Sequence, residues 1–131
     1  MKYLLDVNTL IALAHAAHVH HDRAASWYRS IGESGAGLCT CAITELGFVR
    51  VAVRTSLQLD VSSARKALAA FKESTPVPVE LLEDGIGVDR LPAFARTPKK
   101  LTDGHLSELA KKHGAVFVTL DEGIPGALLV P

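Results

Sequence analysis

A chain of 131 residues, 48% hydrophobic and 21% charged, has the balance of one ordinary globular domain and the length to bury a core without a staple. Its 14 basic and 14 acidic residues give a formal net charge of +0, which excludes a nucleic-acid binder held by bulk positive charge alone. An enzyme that carries its positive charge as a bound cation is not excluded.

Residues 2–6, KYLLD, read as a short buried strand that ends on Asp6. In NTLIALAHA the apolar spacing predicts a helix with Leu10, Leu13 and Ala14 on one face. HHDRAASWYRSI predicts a second, with Ala24, Trp27 and Ile31 together. The N-terminus imitates a secretory signal, but Asp6 and Asn8 interrupt its apolar stretch. No apolar run approaches the ~20 residues of a membrane span, so a cytoplasmic protein is expected. His15, His18, His20 and His21 suggest zinc only weakly, because they straddle a helix end and a loop; solvation is the simpler expectation.

GESGAG is a turn, and GLCTC a short strand that puts Cys39 and Cys41 on one face as small core residues. A disulfide two residues apart is geometrically poor. AITELGFVRVAVR predicts a helix with the stripe Ala42, Leu46, Val49 and Val53, and with Glu45 at its margin. SSARKALAAFKES predicts another, capped by Ser62 or Ser63. The prolines of TPVPVELL allow only a short edge strand. DRLPAFARTPKK is a linker or broken helix. TDGHLSELAKKHG predicts a helix started by Thr102 and stopped by Gly114. AVFVTLD is a buried strand ending on Asp121, and ALLV a last short one. The alternation predicts an α/β fold with a mostly parallel sheet of four to five short strands flanked by helices, in a single domain over residues 1–131.

Ligands of open parallel sheets bind outside the carboxyl ends of the strands. Asp6 and Asp121 stand at two such ends, Asp103 at a helix start, and Glu45 shortly after a strand. Singly, each reads as a cap, a turn former or a surface charge. Together they suggest a convergent acidic site. Two carboxylates ~4 Å apart repel by roughly 4 kcal/mol at an effective dielectric of 20, so four need a counter-ion. Hard oxygen donors suit Mg²⁺ or Mn²⁺.

These motifs resemble the PIN-domain ribonucleases, specifically the VapC-like toxins of toxin–antitoxin pairs. LLDVNTLIAL looks like the family's opening strand with Asp6 and Asn8, CAITELGFVR like the segment with its Glu at Glu45, and LTDGHLSELAKKHGAVFVTLD like the segment with its last acids at Asp103 and Asp121. The resemblance implies an endoribonuclease that cleaves RNA phosphodiester bonds with a metal-activated water. Asp6, Glu45, Asp103 and Asp121 would be the catalytic, Mg²⁺- or Mn²⁺-holding residues, and Asn8 and Thr119 would support them. Arg50, Lys99 and Lys100 would meet RNA phosphates. A homodimer and an inhibiting antitoxin protein are the implied partners, the antitoxin lying between the N-terminal helices and AITELGFVRVAV. Gly104 stands where the family often has Ala, a change expected to weaken the helix harmlessly. The segment after Asp121 lacks the family's frequent aromatic. A degenerate PIN module that only binds RNA or protein is one alternative. A haloacid-dehalogenase-type phosphatase is more distant, since Asn8 cannot serve as its proton-donating acid.

Overall fold

The computed structural model describes all 131 residues. Five parallel strands form one sheet in the order β3-β2-β1-β4-β5. They are β1 (Lys2–Leu5), β2 (Gly37–Cys41), β3 (Glu80–Leu82), β4 (Val116–Thr119) and β5 (Leu128–Leu129). Helices α1 (Val7–Ala14), α2 (His21–Gly32), α3 (Ala42–Arg54), α4 (Val61–Ser74) and α5 (Leu101–Lys112) connect or flank them.

Strand alternation divides the core. Leu5, Leu38 and Val118 face one apolar cluster with Leu10, Leu13, Trp27, Phe48 and Leu68 of α1 to α4. Their neighbours Leu4, Cys39 and Phe117 face a second cluster with Leu106 and Leu109 of α5. Cys39 and Cys41 are both buried free thiols of this second cluster, as their spacing predicts. The strands with prolines before them or only two residues long, β3 and β5, are the edges.

Strands β2 and β3 lie on one side of β1, and β4 and β5 on the other. The strand order therefore reverses beside β1, and a crevice opens at the carboxyl ends of β1 and β4. The register pairs Leu5 with Val118, and the Asp6 N–H continues the ladder to the Val118 carbonyl at 3.0 Å. Asp6 and Asp121 thereby leave adjacent strands on the same edge of the sheet.

Several local expectations need correction. The buried face of α3 is Thr44, Gly47, Phe48 and Ala52, not the stripe through Ala42 and Leu46; Leu46 is 64% exposed. Gly47 is buried because α1 crosses there: a Cβ would lie 2.5 Å from Cγ2 of Val7. At this crossing α1 and α3 are in direct contact. Helix α4 is capped by Asp60, whose side chain accepts from Ser63 N at 2.8 Å while Ser63 Oγ returns the bond in a capping box. Helix α5 begins at Leu101, running straight out of a 3-10 turn over Pro98–Lys100, so Thr102 caps nothing. Gly114 follows its C-cap at φ +65°, the left-handed stop expected of it.

The histidines are not all solvated. His15 is buried, stacks on Phe48, hydrogen-bonds the Ile11 carbonyl through Nδ1 at 2.9 Å and meets Gln58 through Nε2 at 3.0 Å. His21 Nδ1 lies 2.7 Å from the Ala12 carbonyl. These rings finish the last turn of the short helix α1 and form no metal cluster.

Candidate active site

Asp6 is the pivot of the crevice. It ends β1, is 4% exposed, and caps α1 by accepting from Thr9 N at 2.8 Å through Oδ1. Its other oxygen accepts from the hydroxyl of Thr119, the last residue of β4, at 2.5 Å. The same hydroxyl accepts from the Asp121 N–H at 3.0 Å. Thr119 therefore joins the two acids across adjacent strands. Asn8 does not share that work: it is exposed, and Asp6 takes its protons from Thr9 and Thr119 instead.

Burial first, and then the charge of Asp121, hold the Asp6 carboxyl above its ordinary value despite the bonds from Thr119 and Thr9. Asp103, in the first turn of α5, is raised by burial and by the charges of Asp6 and Asp121, while Lys100 pulls it down. The charges of Asp6 and Asp121 thus reach Asp103, and that of Asp121 reaches Asp6.

Glu45 stands apart from that trio. It lies half-buried in the first turn of α3, where Oε2 accepts from Thr40 Oγ1 at 2.6 Å and pairs with the ammonium of Lys72. Lys72 comes from α4 and was not among the sequence candidates. One signal does mark it: in the buried run Ala64, Leu68, the next helical position at the same face is Lys72.

Two hollows flank these groups. One of about 580 Å³ is lined by Phe94, Lys99, Lys100, Asp103, Asp121 and Ile124, with Glu122 adding negative charge. Lys99 and Lys100 accordingly lie beside the aspartates. The other, a groove of about 770 Å³ between α3 and α4, is lined by Leu46, Val49, Val61 and Leu68 and carries Glu45, Arg50, Arg65 and Lys72. Arg50 belongs to this groove, with Glu45, and not to the hollow of Asp103.

As the side chains stand, no three carboxylate, imidazole or thiol groups converge at metal-ligand spacing. The chemistry of the donors nonetheless fits a divalent cation. Asp6, Asp103 and Asp121 supply only hard oxygens, and each of the first two is raised first by burial and further by neighbouring negative charge that a cation would offset. The Oε2 atom of Glu45 is taken up by Thr40 and Lys72, so a cation at that oxygen would compete with Lys72.

Comparison with known proteins addresses the family of the whole chain. The sequence model of the PIN domain matches residues 3–126. Ribonuclease VapC44 of Mycobacterium tuberculosis is 36% identical over 139 residues, spanning 97% of this chain and 94% of that protein. The crystal structure of M. tuberculosis VapC20, described as a sarcin-ricin loop cleaving toxin, superposes with a TM-score of 0.67 at 18% identity, covering 98% of this chain and 99% of that one. The crystal structure of VapBC2 from Rickettsia felis, bound to a DNA fragment from their promoter, superposes with a TM-score of 0.64 at 16% identity, covering 98% and 97%.

Proposed function

Since this chain belongs to the PIN-domain family, and within it to the VapC ribonucleases, we propose that it is the toxin of a toxin–antitoxin pair and a metal-dependent endoribonuclease. The observation that carries the reading is that Thr119 joins Asp6 to Asp121 at the carboxyl ends of neighbouring strands, beside the hollow that Asp121 lines with Asp103.

A Mg²⁺ or Mn²⁺ ion held by these three, with Glu45 completing the set, would polarise a water and offset phosphate charge. The chain's own residues do the rest. Thr119 holds Asp6 and the backbone of Asp121 in one arrangement. The Thr9 N–H and the first turn of α1 keep the Asp6 carboxylate oriented. Lys99 and Lys100 line the neighbouring hollow and supply positive charge for an RNA backbone.

The antitoxin's place is the α3–α4 groove. Its apolar floor is open, with Leu46 64%, Val61 55% and Leu81 57% exposed, and its cations Arg50, Arg65 and Lys72 suit an acidic amphipathic segment. Such a segment would lie against Glu45. A homodimer belongs to the same proposal, as does action in the cytoplasm, where RNA is met; no helix is long and apolar enough to cross a membrane.

One observation favours a second reading, a degenerate module that binds without cutting: Glu45 is engaged by Lys72 and not by the aspartates. The test is incubation of the purified chain with RNA in Mg²⁺, Mn²⁺ or chelator. Metal-dependent fragments with 5′-phosphate and 3′-hydroxyl ends are expected, because water and not the RNA 2′-hydroxyl attacks. Cleavage in chelator, or 2′,3′-cyclic phosphate ends, would overturn the mechanism. Metal-independent RNA binding with no cleavage would establish the binding module.

A further inference from the structure

The chain has four Phe, one Trp and two Tyr. Phe48, Phe117 and Trp27 are core residues, and Phe71, Tyr3 and Tyr28 pack against the first cluster. Phe94 alone belongs to neither cluster. It is half-buried and lines the hollow of about 580 Å³ that also holds Asp103, Asp121, Lys99 and Lys100. A ring that packs no core, beside acids and paired lysines, is available for a ligand.

The segment that carries the ring is fixed in place. Pro92 and Ala95 rest directly on α5 at Gly104, where a Cβ would lie 2.6 Å from Ala95 Cβ and 3.2 Å from Pro92 Cδ. Ala95 N donates to the Pro92 carbonyl at 3.0 Å, Arg96 N to the Phe94 carbonyl at 2.9 Å, and Arg96 Nε to the Ala93 carbonyl at 3.0 Å. The glycine next to Asp103 is therefore what lets the loop approach, and it sets the ring beside the acids. The hollow's volume falls within the roughly 300–1,000 Å³ of small-molecule sites, enough for a nucleotide.

The geometry points to Phe94 as the stacking platform for one nucleobase of the RNA beside the phosphate that is cut, an inference that rests on the nuclease reading above. Every base has a π-face, so stacking fixes the strand without reading its sequence. It also demands that this base be unpaired, because a base held in a duplex cannot lie on a side chain. Phe94 is thus a substrate-positioning residue that restricts cleavage to unpaired segments, while Lys99 and Lys100 meet the adjoining phosphates.

The experiment uses Phe94→Trp and Phe94→Leu in the full chain. A short single-stranded RNA is titrated in chelator against Phe94→Trp, with anisotropy of labelled RNA reporting binding. Trp27 is 6% exposed, so its emission serves as a constant background. Saturable quenching in Phe94→Trp and none in the parent is expected. In cleavage assays Phe94→Leu should raise KM about ten-fold with kcat little changed, the loss of one stacked base, and Phe94→Trp should restore it. RNA that binds without quenching, or an unchanged KM in Phe94→Leu, would overturn the inference and leave the nuclease reading standing. Quenching by RNA that the parent never cuts would support the platform and overturn the nuclease reading instead.

Discussion

The hydroxyl of Thr119 donates to Oδ2 of Asp6 at 2.5 Å, joining residues 113 positions apart at the ends of neighbouring strands. Because the same oxygen accepts from Asp121 N–H, one buried side chain sets the spacing of two acids. Thr119→Val keeps the shape and removes the hydroxyl. It leaves an oxygen of Asp6 and the Asp121 N–H without their partner, so about 1–3 kcal/mol of stability should be lost. Thr119→Ser should recover most of it. Urea denaturation of the three proteins checks this; a Val variant as stable as the parent would show that the bond does not hold the site.

Asp6 caps α1 and is linked through Thr119 to Asp121, and in the proposed function it also holds the metal. Asn caps about as well as Asp, so Asp6→Asn should keep the bond from Thr9 N. Burial and Asp121 raise the Asp6 carboxyl, which means that its ionised form costs the fold stability, increasingly as pH rises through its folded value. At neutral pH without metal the variant should melt at or above the parent's temperature. With metal at a hundred times its dissociation constant the parent gains roughly 2.7 kcal/mol by mass action, and the variant should gain less. Melts in chelator and in excess Mn²⁺ make the comparison. Equal metal-induced shifts would reduce Asp6 to a cap.

The sheet, and the positions of Asp6 and Asp121 just past two of its strands, were legible because both follow from short-range pattern. Alternation in KYLL, GLCTC and AVFVT assigns each strand two buried faces, and an acid where a buried strand stops is visible in one dimension. What was misread depends on neighbours far along the chain. Both sides of α3 are apolar enough to be its core face, and only the crossing of Val7 on Gly47 selects the one with Thr44 and Phe48. The partner of Glu45 is 27 residues away on another helix. Gly104 read as a harmless departure because its constraint lies in Ala95 and Pro92, packed on it from a loop with no periodicity of its own.

Lys72 makes a prediction of opposite sign to most site variants. Its ammonium occupies the Glu45 oxygen that also accepts from Thr40, so a cation must compete with it. In Lys72→Met the metal-induced rise in melting temperature should exceed the parent's. Without metal the change should be small, within about 1 kcal/mol, since the pair is partly exposed and screened. Thermal melts over a Mn²⁺ series decide it; identical shifts in both proteins would place Glu45 outside the metal's ligands.

The loop after β3 is tied to α5 by a hydrogen bond between Asp84 and His105. Asp84 Oδ2 lies 2.5 Å from His105 Nε2, and its Oδ1 accepts from Gly85 N and Ile86 N. Partial burial raises this carboxyl, but the bonds from His105, Gly85 and Ile86 outweigh it and hold it below its ordinary 3.8. A depressed acid stabilises the fold above its unfolded value, and the contribution disappears as pH falls through the folded one. Asp84→Asn should therefore be less stable than the parent at neutral pH and converge on it below pH 3.8. Asp6 and Asp103, which are raised, titrate in the opposite sense in both proteins and cancel in the difference. Paired melts across acid pH test this, and a difference constant with pH would refute it.

Gly104→Ala separates helix propensity from packing. In the interior of an exposed helix, replacing Gly by Ala gains about 0.8–1.0 kcal/mol. Gly104 is buried, and the new methyl would meet Ala95 Cβ at 2.6 Å, a neighbour fixed to backbone that cannot rotate away. The loop must move, which removes its contact with α5 and carries Phe94 from its place beside Asp103. Overpacking of this kind costs typically about 1–3 kcal/mol, so the variant should be less stable than the parent despite the better helix former. Hydrogen exchange should rise at the Ala95 and Arg96 amides, whose bonds to Pro92 and Phe94 hold the loop, and stay unchanged in β1 and β4. An Ala variant more stable than the parent, with those amides still protected, would mean that the loop tolerates the methyl and that Gly104 does not set the ring's position.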